Sequence, residues 1–225
     1  MEARAPAHAG RCYPLAGLLV AAVGVGAYGL ALWLGLPPLA AGMLAVGATL
    51  LATGGLHEDG LADFADSFGG WTRERRLAIM RDSRIGAYGV TALVFSIGLR
   101  AAALAALPGA GACFAALLAG HALSRGLLPL VMATQPLARG DGLAVHTGKP
   151  GAGDLAWAVG LAALVALAAL GLGGGVLALL LAVTLTLGLA RLARLRLGGY
   201  TGDVLGAVQQ VVEIAVLLLA SVLRS

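Results

Sequence analysis

The sequence predicts an all-α integral membrane protein: a polytopic helical bundle of about seven transmembrane helices, with a short cytoplasmic helix after the second span. Three observations predict it. Apolar residues make up 60% of the 225 and charged residues 12%, about half the charged share of an ordinary soluble domain. The apolar residues form seven runs, each near the roughly 20 residues that a helix needs to cross a hydrocarbon core. Alternate links between those runs hold nearly all the cations.

Taken in order, the runs are 13–36, 39–61, 86–107, 112–134, 155–172, 176–197 and 204–223. The 35 glycines suit such helices, because small residues let backbones approach closely. The links Leu36-Pro37-Pro38, Pro108-Gly109-Ala110-Gly111 and Gly173-Gly174-Gly175 carry no charge. The other links hold Arg73, Arg75, Arg76, Arg81 and Arg84, then Arg139 and Lys149, then Arg194 and Arg196, while the amino end adds Arg4 and Arg11. Positive residues stay cytoplasmic, so the N-terminus is expected inside and, with an odd span count, the C-terminus outside. No cleavable signal peptide is expected before the first span. The length fits one domain, 1–225, with an acidic segment at 53–89, a loop at 135–153 and a last motif at 198–207. The net charge of +4 does not indicate nucleic acid, because the basic residues lie between apolar runs. Cys12 and Cys113 make neither a disulfide framework nor a metal pair.

Six of the eleven acidic residues fall between Glu58 and Asp82. Asp59, Asp63 and Asp66 are spaced four and three apart, which on a helix sets them on one stripe. Like charges near a bilayer are costly unless paired, and oxygen ligands suit Mg²⁺ or Mn²⁺ rather than zinc. Thr72 can cap a short helix running through Arg84. If that helix folds back, Asp82 joins the three carboxylates, and Arg81 and Arg84 face the same site. Metal-bound carboxylates beside arginines are what a diphosphate substrate requires. Glu58 and Glu74 read instead as partners of arginines in a solvated loop. His57, one turn before the stripe, reads equally as a substrate contact or a structural histidine. His121 and Arg125 share one face of the fourth span, and Arg125 is expected to line the cavity or pair with an inner carboxylate. Arg100 is expected to pair with Glu213. Asp203 reads either as a cap for the last span or as a neighbour of the metal site.

The run Thr53-Gly54-Gly55-Leu56-His57-x-Asp59-Gly60-Leu61-Ala62-Asp63-x-x-Asp66, followed by Ile79-Met80-Arg81-Asp82-Ser83-Arg84-Ile85-Gly86, resembles the cobalamin synthase (adenosylcobinamide-GDP ribazoletransferase) family. Ser124-Arg125, Ala138-Arg139, Gly148-Lys149 and Gly198-Gly199-x-Thr201-Gly202-Asp203 follow in the family's order. The resemblance implies transfer of the adenosylcobinamide-phosphate moiety of adenosylcobinamide-GDP to α-ribazole or its 5′-phosphate, releasing GMP. It implies Mg²⁺ as cofactor and a bacterial or archaeal cytoplasmic membrane as location. The candidate metal ligands are Asp59, Asp63, Asp66 and Asp82, with Asp82 or Asp63 as the catalytic carboxylate. The candidate substrate contacts are His57, Arg81, Arg84, Arg125, Arg139, Lys149 and Asp203. A homo-oligomer is compatible with the sequence. Three departures stand out. The family's initial segment with a Thr-Arg-Leu-Pro-like motif is lacking, so a shortened start or a dispensable first element is expected. Ser67 replaces a usual Gly, and Glu58 occupies a usually apolar position. The competing readings are a CDP-alcohol phosphotransferase making phospholipid and a small divalent-cation transporter.

Overall fold

The structure, a computed structural model, describes residues 9–224, so Arg4 and His8 lie outside the described residues. Among the described residues the regular structure is helical apart from one isolated bridge between Leu137 and Tyr200. In chain order the α-helices are α1 (Tyr13–Trp33), α2 (Pro38–Thr53), α3 (Leu56–Asp66), α4 (Arg73–Ile79), α5 (Ala87–Ala105), α6 (Ala110–Gly126), α7 (Leu128–Thr134), α8 (Leu143–His146), α9 (Ala152–Leu197) and α10 (Gly202–Arg224).

The second predicted span, 39–61, is not one helix. Gly54 and Gly55 both take left-handed φ, at 63° and 71°. Successive left-handed residues end a right-handed helix, and glycine adopts them without steric cost. The chain bends by 93° there. α2 runs along the bundle, and α3, which carries the acidic stripe, leaves its direction at that bend. The helix after it is also shorter than expected. Thr72 Oγ1 accepts a hydrogen bond from Arg75 N at 3.2 Å, as its capping position predicts, but α4 stops at Ile79.

The fifth and sixth spans emerge as two arms of α9. A straight helix of 46 residues would reach about 69 Å, more than twice a bilayer core. At Gly171 the backbone leaves the helix, with φ 76° and ψ 171°. A Cβ on Gly175 would sit 2.6 Å from Leu167 Cα, two positions that continuous helix would hold about 12 Å apart. The chain therefore doubles back into arms 152–170 and 172–197. Five helices are long and apolar enough to cross a bilayer, six with the bent α2–α3 pair, and the second arm of α9 makes seven.

One end of the bundle gathers the cation-bearing links. Arg73 donates from Nε to Leu197 O and from Nη2 to Ala138 O, both at 2.7 Å, so α4 is stapled to two other links. Those two links also pair directly, through Ala138 N to Tyr200 O at 2.8 Å and Tyr200 N to Pro136 O at 2.9 Å. Arg11 pairs with Asp154 at the same end. The Gly171 turn and the end of α10 lie at the other end, where Leu223 reaches the would-be Cβ of Gly174. Large apolar side chains such as Leu19, Trp33, Leu51, Val94 and Leu195 are exposed around the spans, as a surface facing lipid requires.

Inside the bundle lies a cluster of buried polar groups. Arg100 on α5 reaches both Glu58 on α3 and Glu213 on α10 at 3.1 Å. On α6, His121 Nδ1 lies 2.9 Å from Glu213, and Arg125 Nη1 lies 3.5 Å from it. Gln209 and Gln210 extend the cluster, the first to Glu213 at 2.5 Å and the second to Glu58 at 3.0 Å. Ser96 completes it by donating to Gln210 Oε1 at 2.7 Å. The Arg100–Glu213 pair is the one expected from sequence. Glu58 is a correction: it is 6% exposed and belongs to this buried cluster, not to a solvated loop. Glu74, by contrast, is solvent-exposed as expected.

Breaking one member of a buried ion pair costs about 3–5 kcal/mol, because its partner's charge stays buried. Arg100→Gln and Glu213→Gln are each expected to lower the melting temperature in detergent sharply, and the double variant to lose less than the sum. Strictly additive losses would show that the two side chains are uncoupled.

Candidate active site

The acidic segment meets the last span where α3 crosses the start of α10. A Cβ on Gly60 would lie 2.9 Å from Asp203 Cα, and one on Gly206 would lie 3.0 Å from His57 O. Only glycine at both positions permits this approach. It sets Asp59 and Asp63, on either side of Gly60 along α3, against Asp203 in the first turn of α10.

A cavity of about 660 Å³ opens there. His57, Asp59, Arg125, Arg139 and Asp203 are on its wall, with Tyr13, Ala16, Leu56, Leu128 and Leu205 as apolar surface. Thr201, not Asp203, caps α10: its Oγ1 accepts from Val204 N at 3.3 Å and donates to Asp203 Oδ2 at 3.1 Å. Asp203 is thereby free to meet Arg139 Nη2 at 3.3 Å. Arg139 also lies 3.3 Å from Asp141, which accepts from Arg81 at 2.7 Å. Asp63 is half-buried beside this group. Burial, then the neighbouring carboxylates of Asp59, Asp203 and Asp66, push it up to about 7. Burial is the larger cause, and the three neighbouring carboxylates add to it while Arg139 opposes them.

The other candidates separate from this cavity. Asp66 accepts from Gly86 N at 2.7 Å and Gly89 N at 2.8 Å. Both oxygens thus cap the first turn of α5, and Gly86 and Gly89 lie too close to the carboxylate for any side chain. Asp82 is exposed and grips Arg84 at 2.6 Å, a bond that holds its carboxyl down to about 2. Asp66, Asp82 and Arg84 line a second, shallower cleft. Lys149 is exposed in the 135–151 link, two residues beyond Thr147 of the cavity wall. Among the described residues, no three His, Cys, Asp or Glu side chains are arranged to hold a metal ion alone. Mg²⁺, however, is usually held by one or two carboxylates, with water and substrate phosphates completing its shell. Asp59 and Asp203 on the cavity wall fit that demand.

Sequence reasoning missed Gln209, Gln210 and Arg73. Two adjacent glutamines inside an apolar span were a visible signal. Arg73 had none, since its partners are backbone carbonyls.

Asp66→Ala removes both acceptors from the start of α5 and is expected to cost about 0.5–2 kcal/mol, the usual worth of a cap. Its measure is a lower melting temperature and faster proteolysis at Arg73–Arg84. Asp82→Ala, losing only an exposed local pair, should leave the melting temperature unchanged.

Comparison with known proteins points one way. The family model described as cobalamin-5-phosphate synthase matches residues 1–221. A protein of Bradyrhizobium diazoefficiens named adenosylcobinamide-GDP ribazoletransferase is 49% identical over 209 residues, covering 92% of this chain and 80% of the relative. Relatives of the same name from Mesorhizobium japonicum and Ralstonia nicotianae are 47% and 46% identical, covering 94% and 93% of this chain and 82% of each relative. No solved structure matches the chain.

Proposed function

The chain belongs to the cobalamin-5-phosphate synthase family and completes the nucleotide loop of cobalamin; we propose that it does so by direct in-line transfer at the cavity between α3 and α10. The observation that carries the proposal is the meeting of Asp59, Asp203 and Arg139 on one cavity, with Asp63 close enough to Asp59 and Asp203 to feel their charge. The ribose 3′-hydroxyl of the ribazole acceptor attacks the phosphorus attached to the cobinamide arm. A new P–O bond forms, the anhydride bond to GMP breaks, and the hydroxyl proton passes to a carboxylate.

Asp63 is our choice for that carboxylate, since it sits beside the cavity and binds a proton near neutral pH. Asp59 and Asp203 would hold Mg²⁺ together with diphosphate oxygens. When bound, Mg²⁺ supplies the charge neutralisation that lets GMP depart. Arg139 orients Asp203 and, released from it, offers a guanidinium to the same phosphates. The fixed geometry of α3 against α10 aligns the two substrates, which accounts for much of the rate in a reaction between two large molecules. We place the cavity on the cytoplasmic face of a bacterial or archaeal cytoplasmic membrane, supported by the cations gathered at that end. The Arg–carboxylate character of the site favours this reading over a transport path, which would need polar residues along the whole depth.

The test is turnover by the purified protein in detergent with adenosylcobinamide-GDP, α-ribazole 5′-phosphate and Mg²⁺, read as GMP release and as the mass of the corrin product. Absence of both sinks the activity. Asp63→Asn is expected to lower kcat about 10²–10⁴-fold. In the parent enzyme kcat/KM should fall as pH drops through about 7, because the base is then protonated; Asp63→Asn should lose that limb. A variant with parental turnover and an unchanged profile would remove Asp63 from the mechanism.

A further inference from the structure

We propose that Arg125 and His57 form the subsite for a phosphomonoester on the acceptor, so that the enzyme distinguishes α-ribazole 5′-phosphate from α-ribazole at these two side chains; the proposal rests on the transfer reaction above.

Arg125 is 6% exposed yet lines the cavity. Its Nη1 is engaged, 2.8 Å from His121 Nδ1 and 3.5 Å from Glu213. Nε and Nη2 have no hydrogen-bond partner among the described residues. Those donors are available to a ligand in the cavity, and a planar guanidinium fork matches phosphate oxygens two at a time. His57 lines the same cavity, and its buried Nδ1 has no partner. An imidazole nitrogen left without a partner on the cavity wall can present an N–H to a phosphate oxygen.

Burial sets Arg125 apart from Asp59. Asp59 is exposed, whereas Arg125 is buried in the last turn of α6. A phosphate that is not transferred must stay clear of Asp59, Asp63 and Asp203, whose charge repels it. The Arg125–His57 corner is the part of the cavity that accepts an anion without the metal. Tyr13, Leu56 and Leu128 supply apolar surface for an aromatic base. Glu213 acts here as a positioning residue: it and His121 hold Nη1, which keeps the free edge of the guanidinium turned to the cavity.

The experiment compares kcat/KM for α-ribazole 5′-phosphate and for α-ribazole, with adenosylcobinamide-GDP and Mg²⁺ held constant. Both acceptors are measured on the same preparation of parent, Arg125→Gln and His57→Gln. The ratio of the two values is independent of how much enzyme folds. Arg125→Gln is expected to lower the ratio, phosphorylated over unphosphorylated, by about 10–100-fold, the range for a hydrogen bond to a charged group. His57→Gln should lower it by about 2–10-fold. Ratios unchanged in both variants would overturn the proposal and assign Arg125 to the donor's diphosphate. Should Arg125→Gln fold too poorly to turn over, His57→Gln, outside the ion cluster, decides alone by the same criterion. A parent enzyme inactive with both acceptors would instead refute the transfer reaction.

Discussion

Charge inside a membrane bundle must be matched at short range, and in this protein that requirement is met by two arginines and two glutamates brought together from four helices. Arg100 and Arg125 face Glu58 and Glu213, with His121, Gln209, Gln210 and Ser96 adding hydrogen bonds around them. The balance is what makes the position of α3 definite. Without Glu58 anchored on Arg100, a short helix bearing several acidic residues would gain more from lying in water than across the end of the spans. Its anchoring directs the acidic face of α3 toward the cavity and keeps it there.

Backbone geometry then converts an anchored helix into a site. The two left-handed glycines let α3 turn by 93°, and the glycine-to-glycine crossing at Gly60 and Gly206 lets it touch α10. Neither device would suffice alone. A bend without the close crossing would leave Asp59 and Asp203 a side chain's width apart. A crossing without the bend would carry the stripe along the membrane normal, past the start of α10. The loops close the arrangement from the other side: Arg73 staples α4 to the links at Ala138 and Leu197, and the 136–138 strip pairs with Tyr200. That pairing holds Arg139 opposite Asp203.

The spans were legible because a bilayer imposes a length and a composition on any helix that crosses it, and the uncharged turn Gly173-Gly174-Gly175 marked the reversal that Gly171 carries out. The fate of each aspartate was less legible. Helical spacing puts Asp59, Asp63 and Asp66 on one stripe, but α3 packs against two neighbours. One end of the stripe meets α10, while Asp66 meets the first turn of α5 and is consumed as its cap. Asp82 depended on α4 continuing to Arg84. The helix stops at Ile79, and a carboxylate two residues from an arginine in a turn pairs locally. Glu58 was misread because its partner, Arg100, lies 42 residues away, and no pattern within α3 signals a cation there. Gln209-Gln210 carried a signal that charge-based reasoning overlooked, since amides cost less than ions in an apolar span and draw less notice.

The cavity and the ion cluster are best understood as one object, because Arg125 belongs to both. A guanidinium facing an apolar cavity alone would draw in water or swing outward. Tied by one nitrogen to His121 and Glu213, it keeps a fixed edge toward the cavity while most of its charge is answered from behind. That division also explains why the carboxylates need no matching set of arginines. The negative end, at Asp59, Asp63 and Asp203, is left short of positive charge, and the positive corner is left with unused donors. In the proposed reaction the two deficits are met by two different molecules: the diphosphate of the donor at the carboxylate end, with its metal, and the phosphomonoester of the acceptor at the Arg125 corner. Both deficits are then answered only when both substrates are bound, which ties the two binding events to one cavity.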